Sequence, residues 1–296
     1  MEMARKILFF VPDNPLAAFI STGVLARCLK EDERAVCHIY ATPQTAEFFD
    51  DLPAKKIMHI RDEHGGLGEW LKIMRVCIGK YWHRVIDGHK GRFARFLWAR
   101  HRYYFFLPEH LYSLADPVRP ARRVTGCLWV APETELPLPK TLAADAPLVV
   151  FAPTEAYRAR WRGRDYAELA WLLMGHDGPY TGGHLAVIGA ARAHQGMQDI
   201  AANLPAGQVS LIEDASMGVR ASLLRRATLC VGTDRLTARM AWVAATRHIV
   251  RLDERDEDVS VPYELHAGND VGALADFLAE MRVKSTTNTF SFANQR

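Results

Sequence analysis

Several signals that would assign a function class are missing from this chain. The five cysteines (Cys28, Cys37, Cys77, Cys127, Cys230) are odd in number, scattered, and never in a CxxC pair. That excludes a disulfide framework and a zinc ribbon and fits a reduced interior, where a thiol in an apolar run acts as a small core residue. No apolar run approaches the ~20 residues of a membrane span. The basic start "MARK" leads into "ILFF", but "PDNP" cuts that run too short for a secretory signal. No GxGxxG follows a strand, and neither a P-loop nor GxSxG occurs. The pairs His59/His64 and His83/His89 lack the helical spacing of paired metal ligands. Net charge is only +3, so global charge says little about partners. The expectation is a soluble cytoplasmic protein that holds no metal.

What the chain does have is alternation. Short apolar runs, "KILFFV" (6–11), "AVCHIYA" (35–41), "KIMHI" (56–60), "HRVID" (83–87) and "GCLWVA" (126–131), fill the first half, the earlier ones followed by helical patterns. The Pro- and Ala-rich 132–147 reads as a linker. A second series follows: "LVVFAP" (148–153), "HLAVIGA" (184–190), "QVSLIE" (208–213), "TLCVGT" (228–233) and "RHIVRL" (247–252). Repeated strand–helix units imply parallel sheets with right-handed crossovers. The composition, 49% hydrophobic and 24% charged, suits two such domains. The predicted organisation is α/β: residues 1–140, residues 141–282, and a polar tail 283–296.

Ligands of open parallel sheets bind beyond the carboxyl ends of the strands. Five junctions qualify: "VPDNP", "IDGHKG", "APTEAYRARW", "IGAARAHQ" and "VGTDRLTAR". In the third, Arg158, Arg160, Arg162 and Arg164 crowd within seven residues, with Thr154 nearby. Guanidinium forks match phosphate oxygens, and the alternative is a solvated basic loop over a buried Trp161. In the last, Thr233 or Asp234 can cap a helix, a role compatible with ligand contact. Asp13 is either a general base or a turn and helix cap. Residues 80–106 carry seven Lys/Arg and one Asp through residue 102, with many aromatics. An amphipathic helix with an Arg-rich face, Phe93, Phe96 and Leu97 inward, is the plain reading. An anionic sugar, lipid head group or membrane surface would fit Arg92, Arg95 and Arg102, as would nucleic acid. "DERDEDV" (253–259) reads as a solvated loop, although Asp256-Glu257-Asp258 has the DxD spacing of some metal-dependent glycosyltransferases.

Three segments in order, "WHRVIDGHKGRFARFLWARHR", "LVVFAPTEAYRARWRGRDYAELAWLL" and "SMGVRASLLRRATLCVGTDRLTARMAWVAA", resemble glycosyltransferase family 9, the bacterial lipopolysaccharide heptosyltransferases. The resemblance implies a GT-B fold, two Rossmann-like doubly wound domains facing a cleft. It implies an inverting, metal-independent transfer from a nucleotide-sugar co-substrate, with no cofactor, to an anionic glycan or lipid-linked acceptor. Peripheral contact with the inner membrane goes with such an acceptor; nucleic acid does not. The candidate site residues are Thr154, Arg158, Arg160, Asp234 and Arg239 at the donor, Asp87, His89, Arg92 and Arg95 at the acceptor, and Asp13 as a base that would reach the family's base position, four residues later, by a different loop path. Departures are local. The family's Gly-Asp after the first strand falls at Leu16-Ala17, and its Lys before Trp falls on Ala159. Of its Asp-Ser/Thr-Gly-x-x-His only Asp234 remains, with Arg235, Leu236 and Arg239 at the other positions. Those losses also suit a catalytically degenerate member that binds a nucleotide or glycan.

Overall fold

A computed structural model describes residues 5–62, 67–107, 110–116, 120–129, 136–140, 142–143, 145–153, 161–190, 193–252, 264–266 and 271–287. The chain forms two compact units, residues 1–134 with 216–221, and residues 135–215 with 222–296.

The first unit is built on a seven-stranded sheet. Its strands are β1 (Lys6–Phe10), β2 (Val36–Ala41), β3 (Lys56–Ile60), β4 (Trp82–Asp87), β5 (Ala99–Leu107), β6 (His110–Ser113) and β7 (Pro120–Arg123), in spatial order β3-β2-β1-β4-β5-β6-β7. The first five are parallel, while β6 and β7 add antiparallel. In β1 the run Ile7–Phe10 is wholly buried, as expected of a central strand covered on both faces. Helix α1 (Pro15–Glu31) follows it. Asn14, not Asp13, is its cap, accepting the Ala17 N–H at 3.0 Å, and Pro15 presets the first helical φ. The cap expected of Asp13 is therefore corrected by one residue. Helices α2 (Pro43–Ala46) and α3 (Leu67–Cys77) complete this half.

Two sequence expectations fail here. Residues 80–106 are not one helix: β4 ends at Asp87, a loop and a short 3-10 turn (Ala94–Phe96) cross over, and β5 begins at Ala99. The aromatic-rich "RYYFF" suits a pleated surface better than a helix. Phe96, expected inward, is 73% exposed, while Leu97 is buried. Nor is "GCLWVA" a strand over its described residues 126–129. That stretch is tied to α1, where the Thr22 hydroxyl accepts the Cys127 N–H at 2.7 Å.

The second unit's sheet is parallel throughout, with β8 (Leu148–Ala152), β9 (His184–Gly189), β10 (Val209–Glu213), β11 (Leu229–Gly232), β12 (His248–Arg251) and β13 (Glu264–His266) in order β10-β9-β8-β11-β12-β13. Strands β8 and β9 are buried along their whole length. The helices are α4 (Gly163–Met174), α5 (His194–Ala201), α6 (Met217–Arg226), α7 (Arg235–Val243) and α8 (Val271–Thr287); the first half of α6, through residue 221, belongs to the first unit. Asp165, in the first turn of α4, accepts the Arg162 N–H at 2.7 Å. The core joins Phe151, Leu169, Leu173, Val187 and Leu229. Each such side chain contributes about 2 kcal/mol by leaving water. Helix α8 runs through Thr287, past residue 282 where the sequence reading ended the domain.

Candidate functional site

In each sheet the strand order reverses once, between β1 and β4 in the first unit and between β8 and β11 in the second. Such reversals open a crevice beyond the carboxyl ends of the two strands. Both reversals share a backbone feature. The Gly88 N–H donates to Phe10 O at 2.7 Å, and a Cβ on Gly88 would lie 2.5 Å from Pro12 Cδ. A Cβ on Gly232 would lie 2.5 Å from Ala152 O. Only a residue without a side chain lets the strands close so tightly.

At the first reversal, four segments contribute side chains. Asp13 follows β1, is 58% exposed, and forms an ion pair with Arg61. Arg61 follows β3 and is only 4% exposed; its own N–H continues the sheet by donating to Ala41 O at 2.9 Å. Its guanidinium lies 5.0 Å from the centroid of the Trp70 ring on α3, within the range of a cation–π contact. Trp70 stacks on Phe93 at 3.9 Å and touches His89 edge-on at 4.9 Å. A buried cation, an exposed carboxylate and an aromatic floor thus share one crevice. Arg61 escaped the sequence reading, although "HIRD" puts it just past a strand end, where the carboxyl-edge rule points.

The loop after β4 is held by Asp87. This fully buried carboxylate accepts the His89 N–H at 2.7 Å on one oxygen, and those of Phe93 (2.7 Å) and Ala94 (2.9 Å) on the other. Burial pushes its pKa up while the three amides pull it down; the net displacement is upward. Asp87 was expected to contact an acceptor. In the fold it shapes the loop that carries the other proposed acceptor residues. His89 Nε2 lies 3.2 Å from Val11 O. A carbonyl only accepts, so Nε2 carries the proton. Burial first, and then the Arg61 charge, lower the His89 pKa to about 4. At neutral pH the ring is uncharged, so it offers an anion no charge. Arg92 and Arg95 are exposed.

At the second reversal, Asp234 is the N-cap of α7. Its two oxygens accept the Leu236 and Thr237 amides at 3.1 Å each, and the Thr237 hydroxyl donates to it at 2.6 Å. Arg239 is buried with its guanidinium 5.0 Å from the Trp242 ring centroid. Trp161 is buried against Tyr166, as the plain reading of its neighbourhood expected. Thr154, Arg158 and Arg160, like the acidic run at 253–259, lie outside the described residues. Among the described residues no group of three or more His, Cys, Asp or Glu could hold a metal ion, and no helix is long and apolar enough to cross a membrane.

No protein-family model matches this sequence, and no curated protein matches it either. Solved structures do. The chain is similar to the ADP-heptose lipopolysaccharide heptosyltransferase II of E. coli, with a TM-score of 0.67 and 15% identity over 95% of this chain and 99% of that one. It is similar to a glycosyl transferase family 9 protein of Veillonella parvula DSM 2008, with a TM-score of 0.64 and 13% identity over 97% and 98%. A UDP-GlcNAc 2-epimerase of Neisseria meningitidis, solved with UDP-GlcNAc, follows at a TM-score of 0.56 and 12% identity over 95% and 92%. The chain has the GT-B fold of these proteins: two Rossmann-like α/β units. Because the fold also carries an epimerase, it does not by itself decide the reaction.

Proposed function

We propose that the protein transfers a sugar from a nucleotide-sugar donor to a lipopolysaccharide or surface-polysaccharide acceptor, inverting the anomeric centre without a metal. The observation that carries this reading is the Asp13 carboxylate, placed at the strand-order reversal of the first unit and paired there with a buried Arg61. An exposed carboxylate held by a fixed cation is oriented but still reachable, which is what a general base needs.

In this scheme an acceptor hydroxyl oxygen attacks the anomeric carbon as the bond to the diphosphate oxygen breaks. That electron pair leaves with the diphosphate, and the hydroxyl proton passes to Asp13. His89, Arg92 and Arg95 meet the acceptor on the loop that Asp87 anchors. Thr154, Arg158, Arg160, Asp234 and Arg239 serve the donor, the cations offsetting charge that develops on the leaving diphosphate. A cytoplasmic enzyme touching the inner membrane peripherally would meet such an acceptor where it is made.

Titration calorimetry with ADP-, UDP-, GDP- and dTDP-sugars tests the donor site, and transfer assays test the chemistry. One donor is expected to bind, and Arg160→Ala and Asp234→Ala to weaken it. Asp13→Asn is expected to lower turnover by about a hundredfold or more with donor affinity kept. No binding by any donor would sink the proposal.

A second reading has an observation of its own: Leu236 and Arg239 stand where the resembling family has Gly and His, and Asp234 is fully engaged as a cap. Donor binding without turnover on any acceptor would favour that non-catalytic binder.

A further inference from the structure

The layer that covers the candidate site's side of the first sheet has exposed apolar side chains that the proposed reaction does not use. Helix α3 and the crossover after β4 pack side by side, joined by the Trp70–Phe93 stack. They bury Ile73 and Cys77 from one segment and Ala94 and Leu97 from the other in a common core. Their outward side chains are unusually apolar. Phe96 is 73% and Trp98 66% exposed, and Leu71, Val76 and Ile78 are exposed too. Tyr81 is exposed with its ring 5.3 Å from that of Trp98.

Cations alternate with these groups along both segments, Lys72 and Arg75 beside Leu71 and Val76 on α3 and Arg92, Arg95 and Arg100 around Phe96 and Trp98 in the chain. Lys72, Arg75, Arg92, Arg95 and Arg100 are all exposed. From Trp70 to Phe105 the sequence contains a single acid, Asp87, and it is buried. A solvated face normally mixes the two signs; among the described side chains from Trp70 to Phe105 every exposed charge is positive.

We propose that this face docks on an anionic lipid bilayer, with Phe96 and Trp98 entering the head-group region and the interspersed lysines and arginines meeting lipid phosphates. Three features select lipid among anionic partners. Leu71, Val76 and Ile78 cannot stack on bases, but they fit acyl chains. Trp and Tyr favour the interfacial depth of a bilayer. A protein-binding patch would be depleted in Lys relative to the rest of the surface. The proposal rests on the transferase reading only for its purpose, which is to bring the site to a lipid-linked acceptor.

The test is co-sedimentation of the full chain, without nucleotide sugar, with vesicles of equal phosphatidylglycerol and phosphatidylethanolamine, and with vesicles of phosphatidylcholine alone. Binding to the first is expected to be at least about tenfold tighter, and to weaken with salt. Arg95→Gln/Arg100→Gln is expected to lose about fivefold per charge removed. Phe96→Ser/Trp98→Ser, at two exposed positions, is expected to lose about tenfold with an unchanged melting transition. Absence of pelleting with anionic vesicles would overturn the proposal, as would pelleting indifferent to Phe96 and Trp98. So would a single-stranded oligonucleotide that binds tighter than the vesicles and displaces them. With no donor in the assay, its failure leaves the transferase reading standing, and a failed donor titration leaves docking standing.

Discussion

Replacing Asp87 with Asn changes one oxygen to an amino group where three backbone N–H groups converge. The Asn carbonyl oxygen can keep the Phe93 and Ala94 amides, which share one carboxylate oxygen at 2.7 and 2.9 Å. Its amino group must then face the His89 N–H, donor against donor, where a 2.7 Å bond had been. One charge-assisted bond is lost, and a buried amide is left unsatisfied, at about 2–3 kcal/mol. The two retained bonds weaken as the acceptor loses its charge, by about 1 kcal/mol together. Relief of the buried charge, the same desolvation that raises the Asp87 pKa, returns a similar amount. The net expectation is about 2–3 kcal/mol, and about 4 kcal/mol for Asp87→Ala, which abandons all three amides. Urea denaturation of the full chain measures the loss, and amide hydrogen exchange locates it. In Asp87→Asn the His89 amide should exchange much faster, while those of Phe93 and Ala94 stay protected. Stability within about 0.5 kcal/mol of the parent, with unchanged exchange at His89, would refute the reasoning.

Three further outcomes are expected. Arg61→Gln should lower turnover at least about tenfold while donor affinity holds, since it releases the Asp13 carboxylate and the proposed donor residues all belong to the second unit; a parallel loss of donor affinity would contradict this. His89 has a folded pKa of about 4, against an ordinary value of about 6.5. Below pH ~6.5 the unfolded chain therefore takes up a proton that the folded chain refuses, and stability falls until about pH 4, by roughly 3 kcal/mol at most. His89→Gln, which can still donate to Val11 O, should flatten that slope; parallel urea-midpoint curves for the two proteins would exclude the assignment. Asp234→Ala should cost about 1–2 kcal/mol as a lost N-cap. Asp234→Ser should restore most of that while leaving donor binding weak, and full recovery of binding would reduce Asp234 to a cap.

The second unit was readable from sequence through β12, though not its last strand β13, because its central strands β8, β9 and β11 are buried along their whole length. Runs such as "LVVFA" and "HLAVIG" have no polar alternation to confuse, and Pro and Gly punctuate their ends. The first unit hid more. Its β6 and β7 extension is antiparallel, and in β5 the Arg and His between the aromatics gave the look of a cationic helix face. Asp13, Asp87, His89 and Asp234 were all noticed from their places at strand ends. Spacing could not say which would be spent internally, because a carboxylate that caps a helix and one that meets a ligand look identical in one dimension. Asp87 and Asp234 turned inward to backbone amides; Asp13 stayed exposed because Asn14 took the cap. Arg61 was missed because a single Arg after a short strand carries no motif, and its burial depends on Trp70, nine residues later on α3.

Gly88 and Gly232 sit at the same place in the two units, each pressed against the strand across the reversal. Main chain meets main chain there, so each reversal is closed by a backbone floor distinct from the side chains that line the crevice. Such a floor can outlast the chemistry performed above it. Substitutions at Leu236 or Arg239 leave this backbone closure untouched, whereas a side chain at either glycine would collide with it. The oldest part of the site to survive divergence would then be its emptiest positions, which no catalytic motif records.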